Sequence, residues 1–154
     1  MPLLRPLLLG ALLAAPSMLA AQDRQEERNA FTLSESIPAG QWIRVRNLNG
    51  EMRVRPSTSG KVEISATKSW RRGNPKDVRI EQRKASDGSI LVCALWNENS
   101  SCSETNYESH NGTGWSRGRE NDVSVAFDIR VPNGVKVGVW SVNGGVNVDG
   151  VTSE

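Results

Sequence analysis

Trp42, Arg44 and Arg46 alternate along Trp42-Ile-Arg-Val-Arg-Asn47. An extended backbone puts the indole and both guanidinium groups on one side. Trp140 stands out of phase with Val137 and Val139, so it too points away from its strand's inward residues. Trp70-Arg71-Arg72 and Trp115-Ser-Arg117-Gly-Arg119 repeat the aromatic–cation pairing in segments that read as loops. Indole faces stack on sugar rings and attract cations, and guanidinium forks bind carboxylates and other oxyanions. The chemistry on offer is recognition of a glycan or an anionic polymer. The same residues also have a packing use, in which outer indoles cover a sheet face and Arg stems lie over them. Both readings stay open at this stage.

Nothing else in the chain assembles into a reaction centre. His110, the sole histidine, lies in a polar loop beside Asn111-Gly112, a poor place for a nucleophile–base pair that needs fixed geometry. Gly144-Gly-Val-Asn-Val-Asp149 resembles a Ca²⁺-binding β-roll nonapeptide, but Asn147 replaces its third glycine and the motif occurs once. It reads as a turn that contains an Asp. Gly112-Thr-Gly-Trp-Ser-Arg-Gly118 lacks the spacing of a phosphate-cradling loop. No carboxylate pair stands out among the 17 acids. The chain is therefore read as non-enzymatic, with no cofactor and no metal.

Cys93 and Cys102 are nine positions apart. In an oxidising compartment they form one disulfide around a short loop. Two Cys and one distant His do not complete a zinc site.

These side chains must be positioned by strands. Val135-Lys-Val-Gly-Val-Trp-Ser-Val-Asn-Gly-Gly-Val-Asn-Val-Asp-Gly150 reads as strand, Asn-Gly turn, strand. Ile43 to Pro56 carries the same pattern. Ile43 aligns with Val137, Val45 with Val139, Asn49-Gly50 with Asn143-Gly144, Met52 with Val146 and Val54 with Val148. Phe31-Thr-Leu33 forms a short first strand. Lys61–Thr67 alternates, with Val62, Ile64 and Ala66 inward. Val78–Lys84 is one-sided, and Asp87-Gly88 turns it into Ile90–Trp96, apolar on both faces and so doubly covered. Asp122–Val131 puts Val123, Val125, Phe127, Ile129 and Val131 on one face. Residues 97–121 have no period and form a mobile loop whose first third the disulfide pins. No window after the N-terminal segment has helical spacing with a cap. The fold class is all-β, as a β-solenoid-like stack or a stacked antiparallel sheet repeat.

Composition sets the outer bounds. A length of 154 residues suffices for one cored domain. A net charge of +2, from 19 basic and 17 acidic residues, gives no argument for nucleic-acid binding. Residues 1–21 have a basic start, an apolar run over Leu7–Leu13 and small residues at Ala20-Ala21. This is the order of a cleavable signal peptide, with an apolar run short for a membrane span. The chain is thus expected to be exported, with no stable span after cleavage. Residues 22–30 form a charged linker, and residues 31–154 form one β-repeat domain.

Ile129-Arg-Val-Pro-Asn-Gly-Val-Lys-Val, Ser-Val-Asn-Gly-Gly-Val-Asn-Val and the earlier Asn-Leu-Asn-Gly-Glu-Met-Arg-Val resemble an exported bacterial adhesin-like family, a domain of otherwise unknown function. The resemblance covers roughly residues 40–150, with residues 97–121 as an insertion. It implies a repetitive, non-catalytic exported β domain that continues into further Gly-Val-x-Val coils. By that pattern a chain stopping at Glu154 is a fragment or a short member, with the edge of its last strand open to self-association.

The expected function is an adhesin-like binding module of the cell envelope. Its ligand face would draw on Trp42, Arg44, Arg46, Trp140, Trp70, Arg71, Arg72 and Trp115, and its partner would be an envelope glycan or envelope protein. A structural or sensory domain of an envelope-stress system is the alternative. A polysaccharide-degrading enzyme on a β-helix scaffold stands third.

Overall fold

The computed structural model describes residues 22, 25–108 and 121–152. The segment read as a signal peptide, His110 and Trp115 lie outside the described residues. Eleven strands follow in order: β1 (Asn29–Glu35), β2 (Trp42–Asn49), β3 (Met52–Pro56), β4 (Val62–Ser69), β5 (Val78–Lys84), β6 (Ile90–Trp96), β7 (Ser101–Cys102), β8 (Tyr107–Glu108), β9 (Ser124–Val131), β10 (Lys136–Asn143) and β11 (Val146–Val148). The all-β expectation holds.

The strands form two principal sheets. One has the order β1-β4-β9-β3-β11 and the other β10-β2-β6-β5. The chain passes from the second sheet to the first along β2–β3, β6–β9 and β10–β11. Within each sheet these strands pair in parallel: β6, β2, β10 in one and β9, β3, β11 in the other. The repeated pattern thus becomes direct contact. Val137 pairs with Ile43, Val139 with Val45, Val146 with Met52 and Val148 with Val54. Antiparallel strands close the far side, with β5 on β6, β4 on β9 and β1 on β4. The sheets are therefore mixed, and the repeats stack in parallel.

Alternation explains the core. Ile43, Val45, Met52, Val54, Val125 and Ile129 are all at most 1% exposed and face one another between the sheets. Each such side chain contributes roughly 1.5–3 kcal/mol by leaving water. The next inward position of β2 is polar. Asn47 is fully buried and its Nδ2 donates to the carbonyls of Gly50 (3.2 Å) and Val125 (2.8 Å). It ties the turn after β2 to the neighbouring β9. Gly50, at φ +124°, is required there, because a Cβ would lie 2.2 Å from the Val125 carbonyl oxygen.

β6 is buried along its whole length, as its two apolar faces predict. Its inward residues join the main core. Leu91, Cys93 and Leu95 face outward into a second small core with Cys102 and Tyr107. That cover is a short hairpin, β7 paired with β8, bound to β6 by the Cys93–Cys102 disulfide. By the loop-entropy model the link contributes about 2.5–3 kcal/mol. The aperiodic stretch from residue 97 thus holds an ordered hairpin up to Glu108, and residues 109–120 lie outside the described residues.

Two further details differ from the sequence reading. β1 begins at Asn29, so the strand takes in the last two residues of the stretch read as linker, and residues 25–28 ahead of it are helical. A single 3₁₀ turn, Pro75–Asp77, also appears. Asn74 caps it by accepting from the Lys76 N–H, and Pro75 occupies its start.

Candidate functional site

β2 and β10 lie side by side and in parallel, which brings their outward residues together. Trp42 is opposite Lys136, Arg44 opposite Gly138, and Arg46 opposite Trp140. The face therefore alternates aromatic and cationic groups along and across the strands. The Arg44 guanidinium lies 4.6 Å from the Trp42 ring centroid, and the Lys136 ammonium 5.8 Å from it. Arg46 lies 5.6 Å from the centroid of Trp140. Each such contact is worth about 0.5–1 kcal/mol in an exposed setting. Gly138 keeps a low floor between Lys136 and Trp140.

The disulfide-bound hairpin borders this face. Glu104, in its turn, places a carboxylate oxygen 3.2 Å from Arg44, and its backbone carbonyl accepts from Arg46 at 2.5 Å. Tyr107 packs its ring against Trp140, with centroids 5.9 Å apart and planes tilted by 38°. The Tyr107 hydroxyl donates to the Ala94 carbonyl at 2.9 Å, and burial pushes its phenol above the ordinary tyrosine value. The face thus binds a carboxylate and a carbonyl within its own chain, beside two indoles. Trp140 is 41% exposed.

Four of the eight residues selected from the sequence, Trp42, Arg44, Arg46 and Trp140, meet on this surface. Trp70, Arg71 and Arg72 belong to a different place. Trp70 packs its half-buried ring against the main core, with Arg28 5.4 Å from the ring centroid. The N–H groups of Arg71, Arg72 and Gly73 donate to the Asp122 carboxylate, the shortest at 2.8 Å from Gly73. These bonds, the Gly73 one foremost, hold the Asp122 carboxyl below its ordinary value. Among the described residues, no hydrogen bond, ion pair or ring contact joins this loop to the Trp42–Trp140 face.

Sequence reasoning missed Lys136, Glu104 and Tyr107. Lys136 was readable, because it alternates with Gly138 and Trp140 on a clear strand. Glu104 and Tyr107 lie in a stretch without period, and only the disulfide hinted that it folds back on β6.

A groove of ≈ 350 Å³ runs over the outer face of the other sheet, lined by Arg53, Ser65, Thr67, Asp128 and Asn147 among others. It contains no Trp. Among the described residues no group of three or more His, Cys, Asp or Glu is placed to hold a metal ion. Among them, too, no helix is long and apolar enough to cross a membrane.

The fold and its face define an all-β protein with an aromatic–cationic surface beside a disulfide-bound hairpin. Comparison of the chain with protein-family models, with curated proteins and with solved structures gave no match.

Proposed function

We propose that this chain is a non-enzymatic, exported, adhesin-like binding module of the cell envelope, with a β-solenoid-like stack as its scaffold. Its ligand face is Trp42, Arg44, Arg46 and Trp140, and its ligand class is an acidic glycan. One observation carries the reading: Arg44 and Arg46 hold a carboxylate and a carbonyl from Glu104 while their guanidinium groups lie over the rings of Trp42 and Trp140. A uronate offers the same two chemistries, with a carboxylate for the guanidinium and an apolar ring face for the indole. The disulfide fits an oxidising compartment, which supports export.

The test is calorimetric titration with an oligogalacturonate. Trp42→Ala should weaken binding about tenfold or more, the loss of one stacked ring, with unchanged far-UV circular dichroism. Glu104→Gln should strengthen binding by removing the internal competitor. No binding by the unaltered chain would sink the reading. Glu104 also favours a second reading, a structural or sensory envelope domain that acts through protein partners. In that case both Arg side chains are engaged by Glu104, and the face serves to hold the hairpin. An envelope protein retained by the unaltered chain but not by Trp140→Ala, with no glycan bound, would select it.

A further inference from the structure

The two copies of the strand–turn–strand pattern meet different neighbours. β2–β3 is held in parallel on both sides. Among the described residues, β10–β11 is held on one side only. Met52 and Val54 are 1% and 0% exposed, whereas their register partners Val146 and Val148 are 44% and 51% exposed. The Lys136 N–H donates to Gln41, and the Asp149 N–H donates to Val54. Alternate residues of a parallel strand bond to the same neighbour. The backbone groups of Val137, Val139, Val146 and Val148 therefore face the open side. β11 carries neither Pro nor Lys, the usual guards of a free edge.

We propose that this open side docks a segment of a partner polypeptide with the same strand–Asn-Gly–strand chemistry, added in parallel and in register. Three features specify the occupant. The valine column, which continues from one buried pair to the next, asks for apolar residues at alternate positions. The turns stack backbone on backbone. A Cβ on Gly50 would lie 2.2 Å from the Val125 carbonyl oxygen, and one on Gly144 would lie 2.0 Å from that of Gly50. The next turn in the series needs a glycine for the same reason. Finally, Asn47 donates to the Val125 carbonyl and its register partner Ser141 donates to that of Gly50 at 3.2 Å. The incoming segment needs an amide or hydroxyl donor at that position. A second folded copy fits poorly, because its own β2–β3 is paired on both sides. Its β10–β11 would have to meet this edge in antiparallel orientation, which does not continue the turn stack.

A fluorescein-labelled peptide with the Gly134–Gly150 sequence serves as probe, titrated into the full chain and read by anisotropy. Saturable binding is expected. Val148→Lys in the protein should weaken it about tenfold or more, because a charge would then be buried under the peptide. Trp42→Ala should leave it unchanged, which separates this edge from the glycan face. A peptide with Gly144→Val should not bind. If Val148→Lys lowers the melting temperature of the free chain, Val146→Ser takes its place. Absence of saturable binding overturns the proposal, as does binding that the edge variants leave intact. A dimer in sedimentation that Val148→Lys abolishes would also overturn it, by assigning the edge to a second copy.

Discussion

Ile43, Val45, Met52 and Val54 are 0–1% exposed, while Val146 and Val148 of the matching second unit stand about half in water. The residue pattern of the two units is the same and so is their backbone course, and they pair directly with each other. What differs is the number of neighbours. β2–β3 lies between β6–β9 and β10–β11, whereas β10–β11 has one side unpaired among the described residues. Burial in this molecule thus belongs to the stack, and a side chain's contribution depends on how many units flank it. Beyond β6 and β9 the stack is closed by antiparallel β5, β4 and β1, and by a hairpin fastened through Cys93–Cys102. The stability of the chain should be concentrated toward that closed end.

Glycine substitutions test this contrast most severely. Gly50 combines φ +124° with a carbonyl 2.2 Å from where a Cβ would sit, whereas Gly145 has nothing within 4 Å. Gly50→Ala should cost at least about 3 kcal/mol, since both the left-handed conformation and the backbone contact resist it. Gly145→Ala should stay within about 0.5 kcal/mol of the parent. Urea unfolding followed by circular dichroism measures both. Equal losses would mean that the open-side position Gly145 is covered in solution as closely as Gly50 is.

Truncating the apolar residues gives the next largest effect. Ile43→Ala removes a side chain with no exposed surface and should cost about 2–4 kcal/mol. Val148→Ala, at the open side, should cost less than about 0.5 kcal/mol. The ratio sharpens the comparison, because both residues occupy inward positions, one in the flanked unit and one at the open side. A Val148→Ala cost close to that of Ile43→Ala would show that something already covers the open edge in solution.

The same contrast accounts for how much could be read in advance. Alternation exposed the inward sets on β2, β4, β9 and β10, since one buried face writes itself into a period of two. The equivalence of Ile43 with Val137 and of Met52 with Val146 followed from aligning the two Asn-Gly turns, whereas their direct parallel pairing is visible only in the structure. β6 announced its double cover through Leu91, Cys93 and Leu95. The cover itself was hidden, because Ser101–Glu108 is held by a disulfide, a Tyr107 ring and Glu104 contacts instead of by any apolar period. The order of the sheets was hidden as well. β6–β9 stacks beneath β2–β3, although β4, β5 and a long insertion intervene in sequence, and no local pattern records such distant pairing. Of the site, Trp42, Arg44, Arg46 and Trp140 were legible by phase alone. Trp70 looked equivalent in composition, but its position after β4 turns it to the core.

The smallest predicted effect concerns pH, and it tests whether the closed end has an ionic anchor. Asp122, immediately before β9, accepts from the N–H groups of Arg71, Arg72 and Gly73 in the loop that follows β4. These bonds favour the carboxylate, so its folded pKa lies below the ordinary 3.8. A depressed acid stabilises the fold fully above its unfolded value, and that contribution is lost as pH falls through the lower folded value. Acidification below 3.8 should therefore speed amide hydrogen exchange at Arg71, Arg72 and Gly73, once corrected for intrinsic rates. The amides of β10 and β11 that pair with the neighbouring unit bond to backbone carbonyls, with no carboxylate among their acceptors, and should show no such step. Asp122→Asn should remove the step and leave those three amides less protected at neutral pH. A step that survives in Asp122→Asn, or one that appears equally in β11, would place the acid-sensitive group elsewhere. The closed end would then be held without help from the Asp122 carboxylate.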